Sequence, residues 1–190
     1  MYQVFVKGYV GNLGTKVLID SDFNELSKYF DAGYLHKIKD CVNGGVNPPL
    51  FIVYGEGECG LNINSIKDSE KIGKGGFLAS LWKICDRNKC GLRYSLLKVP
   101  ILQGTIEICN YLDLNPYRLI TEDAEILFVE CSDEETNGMS VSQETPISLI
   151  GETTSDKKRI RIDNDKESYL TKDFKDEIDK IIKGYTKNYG

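Results

Sequence analysis

Apolar and polar positions alternate along Tyr2–Val10 (YQVFVKGYV), the period-two pattern of a half-buried strand. Gly11–Thr15 (GNLGT) reads as a turn into KVLIDSDFNELSKYF. Asp22 followed by Glu25 has capping-box spacing, which predicts a helix from Phe23 to Phe30. Gly33 is expected to break that helix before a second short one in YLHKIKDCV. The stretch NGGVNPP (43–49) reads as a loop, and LFIVYGEGECG as a short apolar run ended by glycines.

Helical periodicity is clearest after Gly75-Gly76, where Phe77, Leu78, Leu81, Trp82, Ile84 and Cys85 mark one buried face and Gly91 ends the helix. LRYSLLKV is strand-like up to Pro100. Ile106, Cys109 and Leu112 form the stripe of an amphipathic helix that Asn115-Pro116 closes. AEILFVEC, ISLIGE and KRIRID read as strands, and 132–146 as a polar surface loop. Phe174, Ile178, Ile181 and Tyr185 share one face of a terminal helix. Strands and helices alternate irregularly, and several strands follow one another with no helix between. The expected class is α+β: a layered α/β/α domain with a mixed, largely antiparallel sheet flanked by helices, spanning 1–190 as a single domain. Its core is predicted to contain Phe77, Leu81, Trp82, Ile106, Cys109, Leu127 and Ile178.

Composition narrows the function classes. The 190 residues are 41% hydrophobic and 28% charged, which is globular rather than disordered. A formal net charge of -5 argues against broad nucleic-acid or anionic-membrane binding, and no apolar run approaches the ~20 residues of a membrane span. The six cysteines lack C-x-x-C spacing, so reduced thiols in a cytoplasmic protein are the expectation. His36 is the only histidine, too few to activate several thiols, and reads as a solvated helix residue.

The local candidate for chemistry is Lys71-Ile72-Gly73-Lys74-Gly75-Gly76, directly before the Phe77 helix. Glycines permit close backbone approach, first-turn N–H groups carry partial positive charge, and two lysines favour an anion. Lys71, Gly73, Lys74, Gly75 and Gly76 are therefore the anion- or phosphate-binding candidates. The competing structural reading is a tight turn that packs the helix on the sheet, since neither the P-loop nor the dinucleotide glycine pattern is present. Glu122, Asp123 and Glu125 form an acidic group of the kind usually left in solvent.

A longer pattern adds to this. Gly75-Gly76 before a Leu-Trp helix is followed by Val99-Pro100-Ile101, Thr105-Ile106-Glu107-Ile108-Cys109, and Asp113-Leu114-Asn115-Pro116-Tyr117 before a strand. This order resembles the C-terminal domain of the aminoimidazole-ribonucleotide synthetase (AIR synthase) superfamily, especially its hydrogenase-maturation and AIR-synthase-related branch. Gly11–Thr15 resembles the family's G-L-E-G-T turn, and Ile147–Ile162 its closing hairpin. The resemblance implies that the 99–119 passage is scaffold rather than reaction centre. It also implies an N-terminal domain, absent from this chain, that brings acidic Mg–ATP ligands. ATP and Mg are then implied only in a pairing with such a domain, and no cofactor for this chain alone. Where the family has Asp-x-Thr/Ser-x-Gly-Gly, Lys71 stands in the Asp position and Gly73 in the Thr/Ser position.

Two readings stay open. The chain is the non-ATP-binding half of an ATP-dependent, hydrogenase-maturation-like protein, acting with an N-terminal domain or partner chain, or as a homo-oligomer. Alternatively it is a catalytically inactive, stand-alone module that binds a small anionic, phosphorylated ligand or a protein partner. Neither reading calls for nucleic acid or a membrane.

Overall fold

The computed structural model describes residues 1–42, 51–52, 65–130, 145–172, 174–183 and 185. The strands are β1 (Tyr2–Lys7), β2 (Phe51–Ile52), β3 (Ile66–Lys71), β4 (Gly91–Tyr94), β5 (Ile101–Leu102), β6 (Glu125–Glu130), β7 (Ile147–Thr154), β8 (Arg159–Asp163) and β9 (Lys166–Tyr169). The helices are α1 (Asn12–Leu26), α2 (Ala32–Val42), α3 (Gly76–Arg87), α4 (Gln103–Tyr111) and the single turn α5 (Ile178–Ile181). Seven strands form one mixed sheet in the order β3-β6-β1-β7-β4-β8-β9, and β2 pairs with β5 separately. Only the β4–β8 pair in the large sheet is parallel. This is the mixed, largely antiparallel α+β arrangement that the irregular order of elements predicts.

The central strand β1 is buried through Val4, Phe5 and Val6 because β6 and β7 flank it. One sheet face, with Val4, Val6, Ile126, Phe128 and Ile150, joins α3 residues Phe77, Leu81, Ile84 and Cys85 in a single apolar cluster. A second cluster unites α1, α2 and α4 with Leu114, Leu119, Ile120 and Ile178. Phe5, Leu127 and Val129 form a third, smaller one.

Several local expectations are corrected. Gly11–Thr15 is the start of α1 and not a separate turn. Gly11 takes a left-handed conformation (φ 74°), its N–H donates to Thr121 Oγ1 at 2.8 Å, and Thr15 Oγ1 donates back to the Gly11 carbonyl at 2.8 Å. The Asp22–Glu25 signal falls inside α1 at a kink, where Asp22 has φ -123° and ψ 26°. Gly33 lies within the first turn of α2, whose start is capped by Asp31 Oδ1 accepting from Tyr34 N–H at 3.0 Å. Leu96–Lys98 is a 3-10 turn rather than the end of a strand, and α3 ends at Arg87, with Gly91 opening β4. The terminal helix is only one turn long.

Trp82 is only partly buried, so the core placement fails for it. Its ring is covered by the Arg159 guanidinium, 3.8 Å from the centroid, and by Phe174 at 5.6 Å. Ile106 is likewise partly exposed, while Phe77, Leu81, Cys109, Leu127 and Ile178 are buried. Strands β3 and β9 have no counterpart in the hydrophobic pattern. In β3 the side chains facing α3 are acidic: Arg87 pairs with Asp68 at 2.8 Å and with Glu70 at 2.6 Å, and Lys83 pairs with Glu70 at 2.5 Å. Ion pairing with the helix replaces apolar burial there. The expected loop at 43–49, and most of the 50–60 and 132–146 segments, lie outside the described residues.

Candidate functional site

Strands β1 and β3 end where β6 begins, because both pair antiparallel with β6: Glu125 stands opposite both Lys7 and Lys71. Beyond that point the chain from β3 turns through Gly73–Gly76 into α3, and the chain entering β6 passes through Thr121–Ala124. Between them lies a cleft of about 470 Å³ lined by Lys7, Lys71, Ile72, Gly73 and Thr121–Glu125. Buried Ile72 anchors its floor, its N–H donating to the Ala124 carbonyl at 2.9 Å. The Gly73 carbonyl accepts from Gly76 N–H at 3.0 Å and from Thr121 N–H at 3.4 Å, stitching the two walls.

Asn12 fixes the outer wall. Its Nδ2 donates to the Glu122 carbonyl at 2.7 Å, and its Oδ1 accepts from Glu122 N–H at 2.9 Å and Leu13 N–H at 2.7 Å. Thr121 Oγ1 accepts from Gly11 N–H and donates to the Leu119 carbonyl at 3.0 Å. The GNLGT segment therefore clamps the 119–122 passage that borders the cleft.

The glycines of the turn differ in role. Gly75 (φ 79°) and Gly76 (φ 68°) hold left-handed conformations. A Cβ on Gly75 would sit 2.8 Å from Ala79 Cβ, and one on Gly76 would sit 2.7 Å from the Tyr117 carbonyl oxygen. Both positions require glycine on conformational and steric grounds. A Cβ on Gly73 would meet nothing within 4 Å, so Gly73 faces open space.

The turn's N–H groups already have partners. Gly76 N–H is committed to Gly73, and Gly75 N–H donates to Asp176 Oδ2 at 2.7 Å. Asp176 is 3% exposed, and its Oδ1 also accepts from Ile120 N–H at 3.2 Å and Ile178 N–H at 3.1 Å. Burial pushes its carboxyl above the ordinary aspartate value, against the pull of these three N–H donors. A carboxylate of the chain itself thus occupies the amide cradle at the start of α3.

Of the sequence-predicted residues, Lys71 and Gly73 line the cleft, and Lys74 is exposed on the turn beside it. Gly75 and Gly76 are buried beneath, where they shape the turn. Glu122, Asp123 and Glu125 also border the cleft, so cation and anion donors alternate around it. Sequence reasoning missed Lys7 and Asp176. Both are far away in the chain and carry no local motif; only the register of β1 and the return of the 174–178 segment bring them in.

Among the described residues no group of three or more His, Cys, Asp or Glu side chains is arranged to hold a metal ion. The buried Asp176 carboxylate at the turn is taken up by three backbone donors, and Lys71 places an ammonium on the cleft lining. His36 is exposed, its ring 5.1 Å from Phe23, well away in α2. Among the described residues no helix is long and apolar enough to cross a membrane.

No protein-family model matches the chain, and no curated protein matches it. Solved structures do. Escherichia coli HypE, a hydrogenase maturation protein, matches with a TM-score of 0.60 and 16% identity over 93% of this chain and 51% of that one. A HypE in complex with ATP matches with a TM-score of 0.61 and 16% identity, over 90% and 50%. Thiamine-monophosphate kinase from Stenotrophomonas maltophilia K279a matches with a TM-score of 0.55 and 15% identity, over 82% and 48%. The chain has the AIR synthase-like α+β fold of a domain in these proteins, and it spans about half the length of each.

Proposed function

We propose that this chain is the C-terminal, non-ATP-binding half of an AIR synthase-related, hydrogenase-maturation-like protein, working with an N-terminal ATP-binding domain or a separate partner chain. The observation that carries this reading is the match in fold to about half of HypE, including a HypE in complex with ATP. In this reading the metal–phosphate ligands come from the N-terminal domain or partner chain, since phosphoryl chemistry depends on positioning and charge neutralisation.

In this reading the cleft receives the anionic end of a small phosphorylated ligand. Lys71 and Lys7 provide charge from the strand ends, Gly73 leaves room for the ligand, and Lys74 adds to the cationic rim. Gly75 and Gly76 act through the shape of the turn they impose. Glu122, Asp123 and Glu125 limit how much negative charge the cleft tolerates, so binding to the isolated chain is weak and falls as salt rises.

The alternative, a catalytically inactive module that binds a small anion or a protein partner, is favoured by one specific observation: Asp176 fills the amide cradle that a phosphate would otherwise use. Calorimetric titration of Mg–ATP and inorganic phosphate separates the two readings, with this chain alone and after mixing with an AIR synthase-type N-terminal domain. ATP binding and hydrolysis that need both polypeptides support the first. Phosphate binding unchanged by the added domain, with no ATP turnover, supports the second.

A further inference from the structure

The C-terminal end of α3 brings two thiols together. Lys89 is left-handed (φ 53°), Cys90 N–H donates to the Cys85 carbonyl at 3.1 Å, and Lys89 N–H donates to the Asp86 carbonyl at 3.1 Å. These two bonds define a Schellman ending, whose geometry pairs the side chains at the positions held here by Cys85 and Cys90. Apolar residues usually fill those positions. Here Cys90 Sγ lies 3.8 Å from the Cys85 carbonyl, and the two thiols are close enough to influence each other's ionisation. A Schellman ending folds these two positions back on each other, and a disulfide spans Cα atoms roughly 4.4–6.8 Å apart. Cys85 is fully buried, whereas Cys90 is half-buried and reaches the surface.

A second observation points at this pair. Arg159 of β8 is nine-tenths buried, its guanidinium carbon sits 3.8 Å over the Trp82 ring centroid, and its charge favours the ionised form of the Cys85 thiol. Its Nε is buried with no acceptor, and its only carboxylate contact among the described residues is Asp86 at 3.4 Å. A buried guanidinium with an unused donor stabilises negative charge on a neighbouring sulfur. Hydrogen bonding with Cys85, a backbone donor and the charge of Arg159 hold the Cys90 thiol below its ordinary value despite its burial, while Cys85 is pushed up. The attacking and resolving roles are separated by access, since Cys90 reaches the surface and Cys85 does not.

The geometry points to a peroxide-reactive dithiol at Cys85–Cys90, with Cys90 as the nucleophile, Cys85 as the resolving thiol and Arg159 as the positioning cation. In the first step the Cys90 thiolate attacks one oxygen of a hydroperoxide. An S–O bond forms, the O–O bond breaks, and the departing alkoxide or hydroxide takes up a proton. Cys90 becomes a sulfenic acid and the peroxide is reduced. Cys85 then attacks the Cys90 sulfur; an S–S bond forms and hydroxide leaves with the Cys85 proton as water. Two thiols and one hydroperoxide yield one disulfide, one alcohol (or water) and one water. The resulting bond ties the end of α3 to the start of β4, away from the cleft.

The test treats the full chain with near-stoichiometric hydrogen peroxide and reads every cysteine by alkylation and peptide mass spectrometry. Cys41 serves as the internal reference, because burial, then Asp40, push its thiol up. The expected result is a Cys85–Cys90 disulfide, seen as loss of two hydrogens, formed before Cys41 reacts. In Cys85→Ala the expected product is a sulfenic acid on Cys90, trapped by dimedone. In Arg159→Gln alkylation of Cys90 at neutral pH slows about threefold to tenfold, comparable to the usual net weight of one hydrogen bond. Oxidation of Cys41 ahead of the pair in the unmutated chain overturns the proposal, leaving the two cysteines as an apolar helix ending. Unchanged Cys90 reactivity in Arg159→Gln overturns the role given to the arginine.

Discussion

Asp176 Oδ2 accepts a 2.7 Å hydrogen bond from Gly75 N–H across 101 residues of sequence. One carboxylate thereby joins three separate passages: the Gly75 turn, the Ile120 strand entry and the start of α5. Replacing it with alanine leaves three buried N–H groups without an acceptor. Asp176→Ala should destabilise by about 2–4 kcal/mol in urea unfolding, and Asp176→Asn, which keeps one carbonyl oxygen, by roughly half that. A loss under about 0.5 kcal/mol for alanine would show that water replaces the carboxylate at no cost.

The same substitution reports on the anion reading. With the Asp176 carboxylate gone, Gly75 N–H faces an open cradle, so phosphate should shift the Gly75 and Phe77 amide resonances in Asp176→Ala more strongly than in the unmutated chain. In the unmutated chain the shifts should centre on Lys71 and Gly73. Equal shifts in both proteins, confined to Gly75 and Gly76, would contradict the assignment of the cleft to Lys71 and Gly73.

Gly73 and Gly76 should respond in opposite ways. Gly73→Ser places its Cβ in open space and should change stability by less than about 0.5 kcal/mol. Gly76→Ala must adopt φ 68° and place a Cβ 2.7 Å from the Tyr117 carbonyl oxygen, so it should cost more than about 2 kcal/mol. Thermal melts of the two variants side by side decide the matter.

Trp82→Ala and Phe77→Ala should also separate. Phe77 is fully buried, and its removal should cost about 3–5 kcal/mol. Trp82 lies partly exposed against Arg159 and Phe174, so its loss should cost only about 1–2 kcal/mol, mostly packing and cation–π attraction. Equal urea midpoints for the two variants would place Trp82 inside the core after all.

Acid should weaken the β3–α3 contact. Burial raises the Asp68 carboxyl, but hydrogen bonds from Arg87 and Asn88 outweigh it and hold the group below its ordinary value; Asp163 is lowered against burial in the same way by Ser95 and Arg161. A carboxyl lowered by folding contributes stability above its unfolded value, near about 4, and that stability is lost as pH falls through the folded value. Asp176, raised by burial, has the opposite sign, and its contribution fades as pH rises through its folded value. Chemical unfolding followed from pH 6 downwards should therefore show declining stability below about pH 4, and Arg87→Met should flatten that decline. An unchanged slope in Arg87→Met would remove the ion pairs from the account.

Where apolar spacing was strong, sequence and structure agree, as in β1, α3, β6, β7 and β8. In these segments the period of burial is set by local geometry, two for a strand and 3.6 for a helix, so the residues themselves reveal the element. β3 carries no such signal because its inward partners are Arg87 and Lys83, charges contributed by another element. The GNLGT segment misleads for a related reason: Gly11 and Gly14 look like turn residues, yet they permit close approach to Thr105, Pro116 and Leu119 at the start of α1. Trp82 has helical spacing that places it beside the core face, but a ring that large is completed by Arg159 from a strand 77 positions later.

The sequence alone determined the α+β class, the main core helix and strands, and a resemblance that the fold comparison bears out. Those features depend on short-range spacing, which is written along the chain. Only tertiary structure decided that Lys7 and Lys71 flank Glu125, that Asp176 fills the turn's amide cradle, and that Arg159 lies over Trp82 beside Cys85 and Cys90. Each of these rests on strand register or chain return over distances of about 50 to 120 residues. At such separations, a side chain's identity says what it can bond to, while only packing determines which partner comes within reach.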